Sequence, residues 1–159
     1  MTCSDIIDGL RTCELLALLS ERELEKLVAS LGTLCQIKTH EAGDNIFAQG
    51  EHITSLYIIA DGQVLLQRSV NLGDRIAVRP IALLGKGRAM GWSALLYGPH
   101  YASATALCQK PTQIIAVDGT SLRSILEENQ SIGFKVMERL ACMLGDRLRA
   151  AYSALETHI

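Results

Sequence analysis

The sequence predicts a mainly β fold, a jelly-roll-like β-barrel with an N-terminal helical segment before it and a long C-terminal helix after it. Short apolar runs separated by turn residues recur between residues 33 and 118, as in a barrel of short strands. Asp61-Gly62 lies between two of these runs, which is the pattern of a tight β-hairpin. Residues 4–32 and 121–157 instead repeat their apolar residues at helical spacing.

The N-terminal segment, residues 4–32, contains a clear helix start. Ser20 is followed three residues later by Glu23, and this pair forms a capping box in which each side chain accepts a hydrogen bond from the other's backbone. Gly32 is expected to end that helix. Four apolar residues share one face of it: Leu24, Leu27, Val28 and Leu31.

The barrel segment, residues 33–118, is divided by glycines. Gly43, Gly50 and Gly62 are predicted to form its corners, because glycine takes a positive φ without steric cost. Pro80 lies inside the strand predicted for residues 75–84. A proline cannot donate a hydrogen bond to a central strand, so this strand is expected at a sheet edge or at a bulge.

The C-terminal segment is predicted to contain a short helix at 121–127 and a long one from 131 to 157. Six apolar residues follow one another along the long helix at steps of three and four: Met137, Leu140, Leu144, Leu148, Ala151 and Leu155. Such a narrow stripe is typical of a coiled-coil contact, although it can also pack on the chain's own barrel. We favour a homodimer formed through this stripe.

Composition places the chain among ordinary globular proteins. Its 159 residues are 48% hydrophobic and 20% charged, which suits one domain spanning 1–159. The net charge of −2 argues against a broad nucleic-acid-binding surface. No apolar run is long enough to span a membrane. Charged residues interrupt the N-terminus, so no signal peptide is predicted and a cytoplasmic protein is expected.

The order of the corner residues adds a family resemblance. Gly43-Asp44, Gln49-Gly50-Glu51 and Gly62-x-Val64, together with the run Leu56-Tyr57-Ile58-Ile59, resemble the cyclic-nucleotide-binding domain family. The resemblance extends from about residue 15 to the C-terminus. It implies the barrel fold, a regulatory role and, by analogy with activator-type members, dimerisation through the long helix.

The family binds the cyclic phosphate with a cassette of the pattern G-E-x-A-L followed by R-[SA]-A. There the arginine pairs with the phosphate, and the glutamate binds the ribose 2′-hydroxyl. In this chain Trp92 stands at the glutamate position and Ala102 at the arginine position, while Arg88 replaces an acidic residue common after Gly87. By this resemblance the candidate pocket comprises Arg88, Gly91, Trp92, Ser93, Ala94, Leu95, Ala102, Ser103 and Ala104.

These replacements leave three interpretations open. Trp92 can plug a vestigial pocket, the pocket can take a different ligand, or other groups can have taken over nucleotide binding. Losing both charged anchors predicts poor binding of cyclic AMP and cyclic GMP. Under the third interpretation, Arg88 is a group that can contact the phosphate.

We therefore expect a non-enzymatic small-molecule sensor that signals through its long helix. The alternative is a ligand-free dimeric adaptor that uses the same fold to bind an unidentified protein partner. No nucleophile–base pair or metal-binding histidine spacing stands out, and the five cysteines include no C-x-x-C pair, so no catalytic residue, metal or cofactor is expected. No helix-turn-helix follows the long helix, and DNA binding is not expected.

Overall fold

A computed structural model describes residues 3–156, with side-chain surroundings from residue 5 onward. Residue 157, at which the long helix was predicted to end, and His158 lie outside the described residues. None of the helices within 3–156 is long and apolar enough to cross a membrane.

Within residues 3–156, eight strands form two four-stranded antiparallel sheets, as the jelly-roll prediction requires. One sheet has the order β1-β8-β3-β6 and the other β2-β7-β4-β5. The strands are β1 Cys35–His40, β2 Asn45–Phe47, β3 Ser55–Asp61, β4 Val64–Asn71, β5 Ile76–Leu84, β6 Ala89–Met90, β7 Thr105–Cys108 and β8 Thr112–Asp118.

Helices precede and follow the sheets. They are α1 Cys3–Arg11, α2 Glu21–Leu31, α3 Gly119–Glu128 and α4 Gln130–Glu156, with short 3₁₀ turns at Glu14–Leu16, Gly32–Leu34 and Trp92–Leu95. The capping box of α2 is confirmed. The Ser20 hydroxyl accepts from the Glu23 amide at 3.2 Å, and Glu23 Oε1 accepts from the Ser20 amide at 3.0 Å.

The predicted corners and edge are confirmed. Gly43, Gly50 and Gly62 have φ of 91°, 86° and 121°. At Gly62 a Cβ atom would lie 2.3 Å from the Thr112 hydroxyl, so only glycine fits this hairpin. β5 lies at the edge of its sheet, and the β4–β5 register shifts next to Gln67, the partner of Pro80. Both features accommodate a residue without an amide hydrogen.

Two apolar cores hold the molecule together. One lies between the sheets and includes Phe47, Ile59, Val64 and Met90. The other lies between the first sheet and the helices. α4 contributes four buried residues to this second core: Ile132, Val136, Leu140 and Met143.

The apolar stripe of α4 is divided in the structure, which corrects its prediction as one continuous contact with a partner. Leu140 is only 3% exposed and belongs to the chain's own core, so its assignment to the dimer contact is wrong. Met137 and Leu144 are half-buried against that core. Leu148 and Leu155 are 52% and 64% exposed, and Ala151 is exposed as well, because the last turns of α4 extend beyond the core.

Candidate functional site

A pocket of about 190 Å³ lies where the cassette, residues 91–104, meets the barrel and α4. Six of the predicted site residues line it: Gly91, Trp92, Ser93, Ala102, Ser103 and Ala104. Ala94 lines a neighbouring cavity instead, and Leu95 is buried in the helix-side core. The residues that the cassette resemblance placed in one site are thus mostly brought together.

The backbone of the cassette is shaped by a glycine and a short turn. Gly91 has φ of 71°, and a Cβ atom there would lie 2.6 Å from the Ser55 carbonyl oxygen. The Ala94 amide then donates to Gly91 O at 3.0 Å, and the Ala102 amide donates to Glu51 O at 2.8 Å. These two amides are therefore engaged within the protein. Because residues 102–104 belong to this returning loop, β7 begins at Thr105 rather than at the predicted Ala102.

Trp92 narrows the pocket without filling it. Its side chain is half-buried and packs against the helix-side core while also lining the pocket. Ala102, buried at the position of the family's arginine, supplies no charge. Apolar side chains of the barrel complete this wall: Phe47, Ile53, Leu66 and Met90.

Arg88 does not line this pocket, so its assignment to the site is wrong. Its Nε donates to Glu14 Oε2 at 3.0 Å, and the same carboxylate oxygen accepts from the Ala89 amide at 2.7 Å. Arg88 instead lines a cleft of about 370 Å³ between β5 and α4. The glutamate of the N-terminal segment therefore holds Arg88 in a structural contact.

Arg147 of α4 lines the pocket, although sequence analysis did not select it. Its Nη2 donates to the Ala89 carbonyl at 3.1 Å. Its Nε is buried and has no hydrogen-bond partner among the described residues. Burial lowers the pKa of this guanidinium, and the nearby Glu14 carboxylate opposes that shift. An arginine stays protonated at neutral pH all the same.

The sequence carried no signal for Arg147. It lies in Asp146-Arg147-Leu148-Arg149, where alternating charges on a helix are typical of a solvated face. Arg149 does behave in that way, since it is exposed and paired with Asp146. Only the path of α4 past the barrel distinguishes the two arginines.

A second cavity, of about 490 Å³, separates the cassette from α3. Arg123 lies 3.7 Å from the centre of the Tyr97 ring, donates to Glu127 at 2.9 Å and donates to the Leu95 carbonyl at 2.7 Å. The Tyr97 hydroxyl also donates to Glu127. Hydrogen bonds from Tyr97 and then Arg123 lower the pKa of the Glu127 carboxyl. This satisfied cluster ties the cassette to α3.

Comparison with known proteins identifies the family. The model of the cyclic nucleotide-binding domain matches residues 37–129. The chain belongs to the cyclic nucleotide-binding domain family, as the cassette frame and the corner glycines indicated. It is a regulatory domain of that fold.

Three relatives show the range of similarity. A protein of Rhodopseudomonas palustris described as a potassium channel is 30% identical over 129 residues, covering 81% of this chain and 30% of that protein. The catabolite activator protein of Thermus thermophilus is 29% identical with a TM-score of 0.70, covering 91% of this chain and 62% of that one. A cyclic nucleotide-binding domain from Methylobacillus flagellatus has a TM-score of 0.78 at 20% identity, covering 99% of this chain and 84% of that one, and it shows the fold alone.

The chain therefore spans less than two thirds of the length of the first two relatives, 30% and 62% respectively.

Proposed function

We propose that this protein is a small-molecule sensor that binds cyclic AMP and cyclic GMP poorly and transmits pocket occupancy through α4. One observation carries the proposal. The pocket lies at the cassette and has room for a ligand, yet Trp92 and Ala102 occupy the positions of the family's glutamate and arginine.

Poor nucleotide binding follows from the energies involved. A hydrogen bond to a charged group contributes about 1.5–3 kcal/mol, so losing two such bonds weakens binding by a factor on the order of a thousand. The pocket volume of about 190 Å³ also lies below the roughly 300–1,000 Å³ usual for drug-sized ligands. A ligand smaller than a nucleotide suits this space better.

Transmission through α4 follows from the position of that helix. Arg147 places α4 in the pocket wall, while the preceding turns are buried in the helix-side core. The turns after Arg147 are exposed. A ligand that binds one arrangement of α4 better than another shifts the population towards it, and the exposed turns present the change to a partner.

The nucleotide part is tested by titration calorimetry with cyclic AMP and cyclic GMP. We expect dissociation constants above roughly 100 µM for both, from the two missing anchors. A micromolar dissociation constant for either nucleotide would contradict the proposal, because it would show that other groups replace the missing anchors.

The sensing part is tested by native mass spectrometry of the purified protein. We expect a bound small molecule that is lost in Ala104→Leu, which fills the pocket. Ala141→Leu, at an exposed position of α4, adds the same atoms away from the pocket and should retain the molecule. Equal ligand content in all three proteins would place the molecule elsewhere.

The ligand-free dimeric adaptor remains the second candidate, and the exposed apolar surface favours it. Leu148, Tyr152 and Leu155 of α4 are exposed. β5 itself exposes four large apolar residues: Ile76, Val78, Ile81 and Leu83. We propose that a second copy of the chain covers this surface, since exposed apolar patches commonly mark interfaces. A dimer without bound small molecule in the mass spectrum would favour the adaptor.

A further inference from the structure

We propose that Arg147 is the anion anchor of the pocket, and that the ligand is a small organic acid with one carboxylate and a compact apolar body. This inference rests on the proposed sensing function and names the ligand class of the same pocket. It moves the charge that recognises the ligand from the cassette to the long helix.

The Arg147 guanidinium is not fully hydrogen-bonded within the protein. Its Nε is buried without a hydrogen-bond partner among the described residues, and none of their carboxylates lies within ion-pair distance of it. The Glu14 carboxylate acts on the Arg147 guanidinium through its charge, but its Oε2 already accepts from Arg88 and from the Ala89 amide. A buried donor without a partner is costly, and the half-buried guanidinium has no counter-charge, so an anion bound there would be stabilising.

The shape of the Arg147 side chain suits a carboxylate. A guanidinium presents two parallel N–H groups that match the two oxygens of a carboxylate. One Arg147 nitrogen, Nη2, donates to the Ala89 carbonyl, which holds the group in place. The Nε–H remains to be satisfied. The Nε atom has almost no accessible surface, so a carboxylate pairs with it and with the neighbouring nitrogen only when the Arg147 side chain turns towards the pocket.

The lining and the volume of the pocket suit a compact ligand. Phe47, Met90 and the Trp92 indole offer apolar surface near the Arg147 guanidinium. Four residues with polar groups also line the pocket: Ser93, His100, Tyr101 and Ser103. A strongly hydrated inorganic anion would lose water here without gaining apolar contact. With about 190 Å³ available, an acid carrying one aromatic ring or a short branched chain fits better than a nucleotide.

The position of the anchor also links the ligand to the output. Arg147 lies where α4 passes from its buried turns to its exposed turns. It also lines the cleft between β5 and α4, on the side of the exposed turns. A carboxylate bound to Arg147 and an apolar body against Trp92 would join α4 to the cassette.

The protein carries its own reporter for this test. Trp92 is the one tryptophan of the sequence and lines the pocket. We would titrate the full chain with phenylacetate and follow Trp92 fluorescence, with phenylacetamide as the neutral isostere and inorganic phosphate as the anion without an apolar body. We expect phenylacetate to bind at least tenfold more tightly than either control.

Three variants separate the anchor from the fold. Arg147→Gln should lose at least tenfold in phenylacetate affinity, and Arg147→Lys should lose less because it keeps the charge. Arg149→Gln is the matched control. Arg149 lies two residues after Arg147 on the same helix, is exposed and is paired with Asp146. Arg147→Gln should unfold at a temperature close to that of the wild type, because the half-buried guanidinium makes one hydrogen bond, to the Ala89 carbonyl, and no ion pair among the described residues.

Two outcomes would overturn the inference. One is a folded Arg147→Gln protein with unchanged phenylacetate affinity. The other is a wild type that binds phenylacetamide or phosphate as well as it binds phenylacetate, or that binds none of the three. The proposed sensing function would survive either result if Ala104→Leu still removed a co-purifying molecule. It would fail only if no molecule co-purified, or if Ala104→Leu left the amount of that molecule unchanged.

Discussion

The two halves of α4 carry the same apolar spacing but meet different surroundings. Before Gly145, the stripe lies at the helix-side core: Leu140 is buried in it, and Met137 and Leu144 pack against it. After Arg147, Leu148 and Leu155 continue the stripe into solvent. Residue spacing therefore identifies the apolar face of a helix but not what that face packs against. The packing partner depends on how far the barrel extends along the helix.

The largest effect we expect separates the two halves by stability. Leu140→Ala should lower the free energy of unfolding by about 2–5 kcal/mol, because it leaves a cavity in a packed core. Leu148→Ala is the matched change in the exposed half and should cost about 0.5 kcal/mol or less in the isolated chain. Urea denaturation at low protein concentration measures both. Similar losses in the two variants would contradict the division of the helix.

The next effect concerns dimerisation. We now expect the dimer contact to lie in the exposed half of α4. Leu148→Asp combined with Leu155→Asp should weaken dimerisation by roughly a hundredfold or more, since two charges would enter an apolar contact. Light scattering should then report a monomer with an unchanged circular dichroism spectrum. Phe134→Asp, at an exposed residue of the buried half, is the control and should remain dimeric. A wild type that is monomeric at tens of micromolar would refute the dimer itself.

Much of the fold could be predicted because its signals are local. The Asp61-Gly62 hairpin, the Ser20–Glu23 capping box and the edge strand around Pro80 each depend on residues close together in sequence. β6 was not predicted, because a strand of two residues, Ala89–Met90, is too short to show a period.

The site was predictable only in part, since its chemistry depends on long-range packing. Trp92 and Ala102, which the cassette pattern singled out, both line the pocket. It could not show that Arg88 is held by Glu14, which lies far away in sequence. Nor could it show that Arg147 is half-buried while Arg149 is exposed, because residue types two apart on a helix do not reveal which one meets the barrel.

A third effect tests whether the pocket charge can be returned from α4 to the cassette. Trp92→Glu with Ala102→Arg supplies the ribose acceptor and the phosphate cation together, and it removes the indole that narrows the pocket. We expect at least a tenfold gain in cyclic AMP affinity, worth about 1.4 kcal/mol, and more than the two single variants combined. Calorimetry of the four proteins decides it. A folded double variant without a gain would mean that this cassette backbone cannot hold the phosphate.

The smallest effect is expected at Gly145 of α4, and Gly133 in the buried half of the same helix is its contrast. At Gly133 an added Cβ would lie 2.6 Å from the Leu126 carbonyl oxygen of α3, whereas at Gly145 it would meet only the Arg149 guanidinium at 3.6 Å. Gly145→Ala should therefore stabilise the chain by about 0.5–1 kcal/mol, because alanine loses less backbone freedom in a helix.

Gly133→Ala is the contrast and should destabilise it, by about 1–3 kcal/mol, because α3 and α4 would have to separate. Thermal unfolding at low protein concentration compares them. If Gly145→Ala lowers stability only at concentrations where the dimer forms, the partner helix packs closely against Gly145. In that case the partner helix, rather than solvent, covers α4 at Gly145. The dimer contact would then extend back from Leu148 towards the pocket.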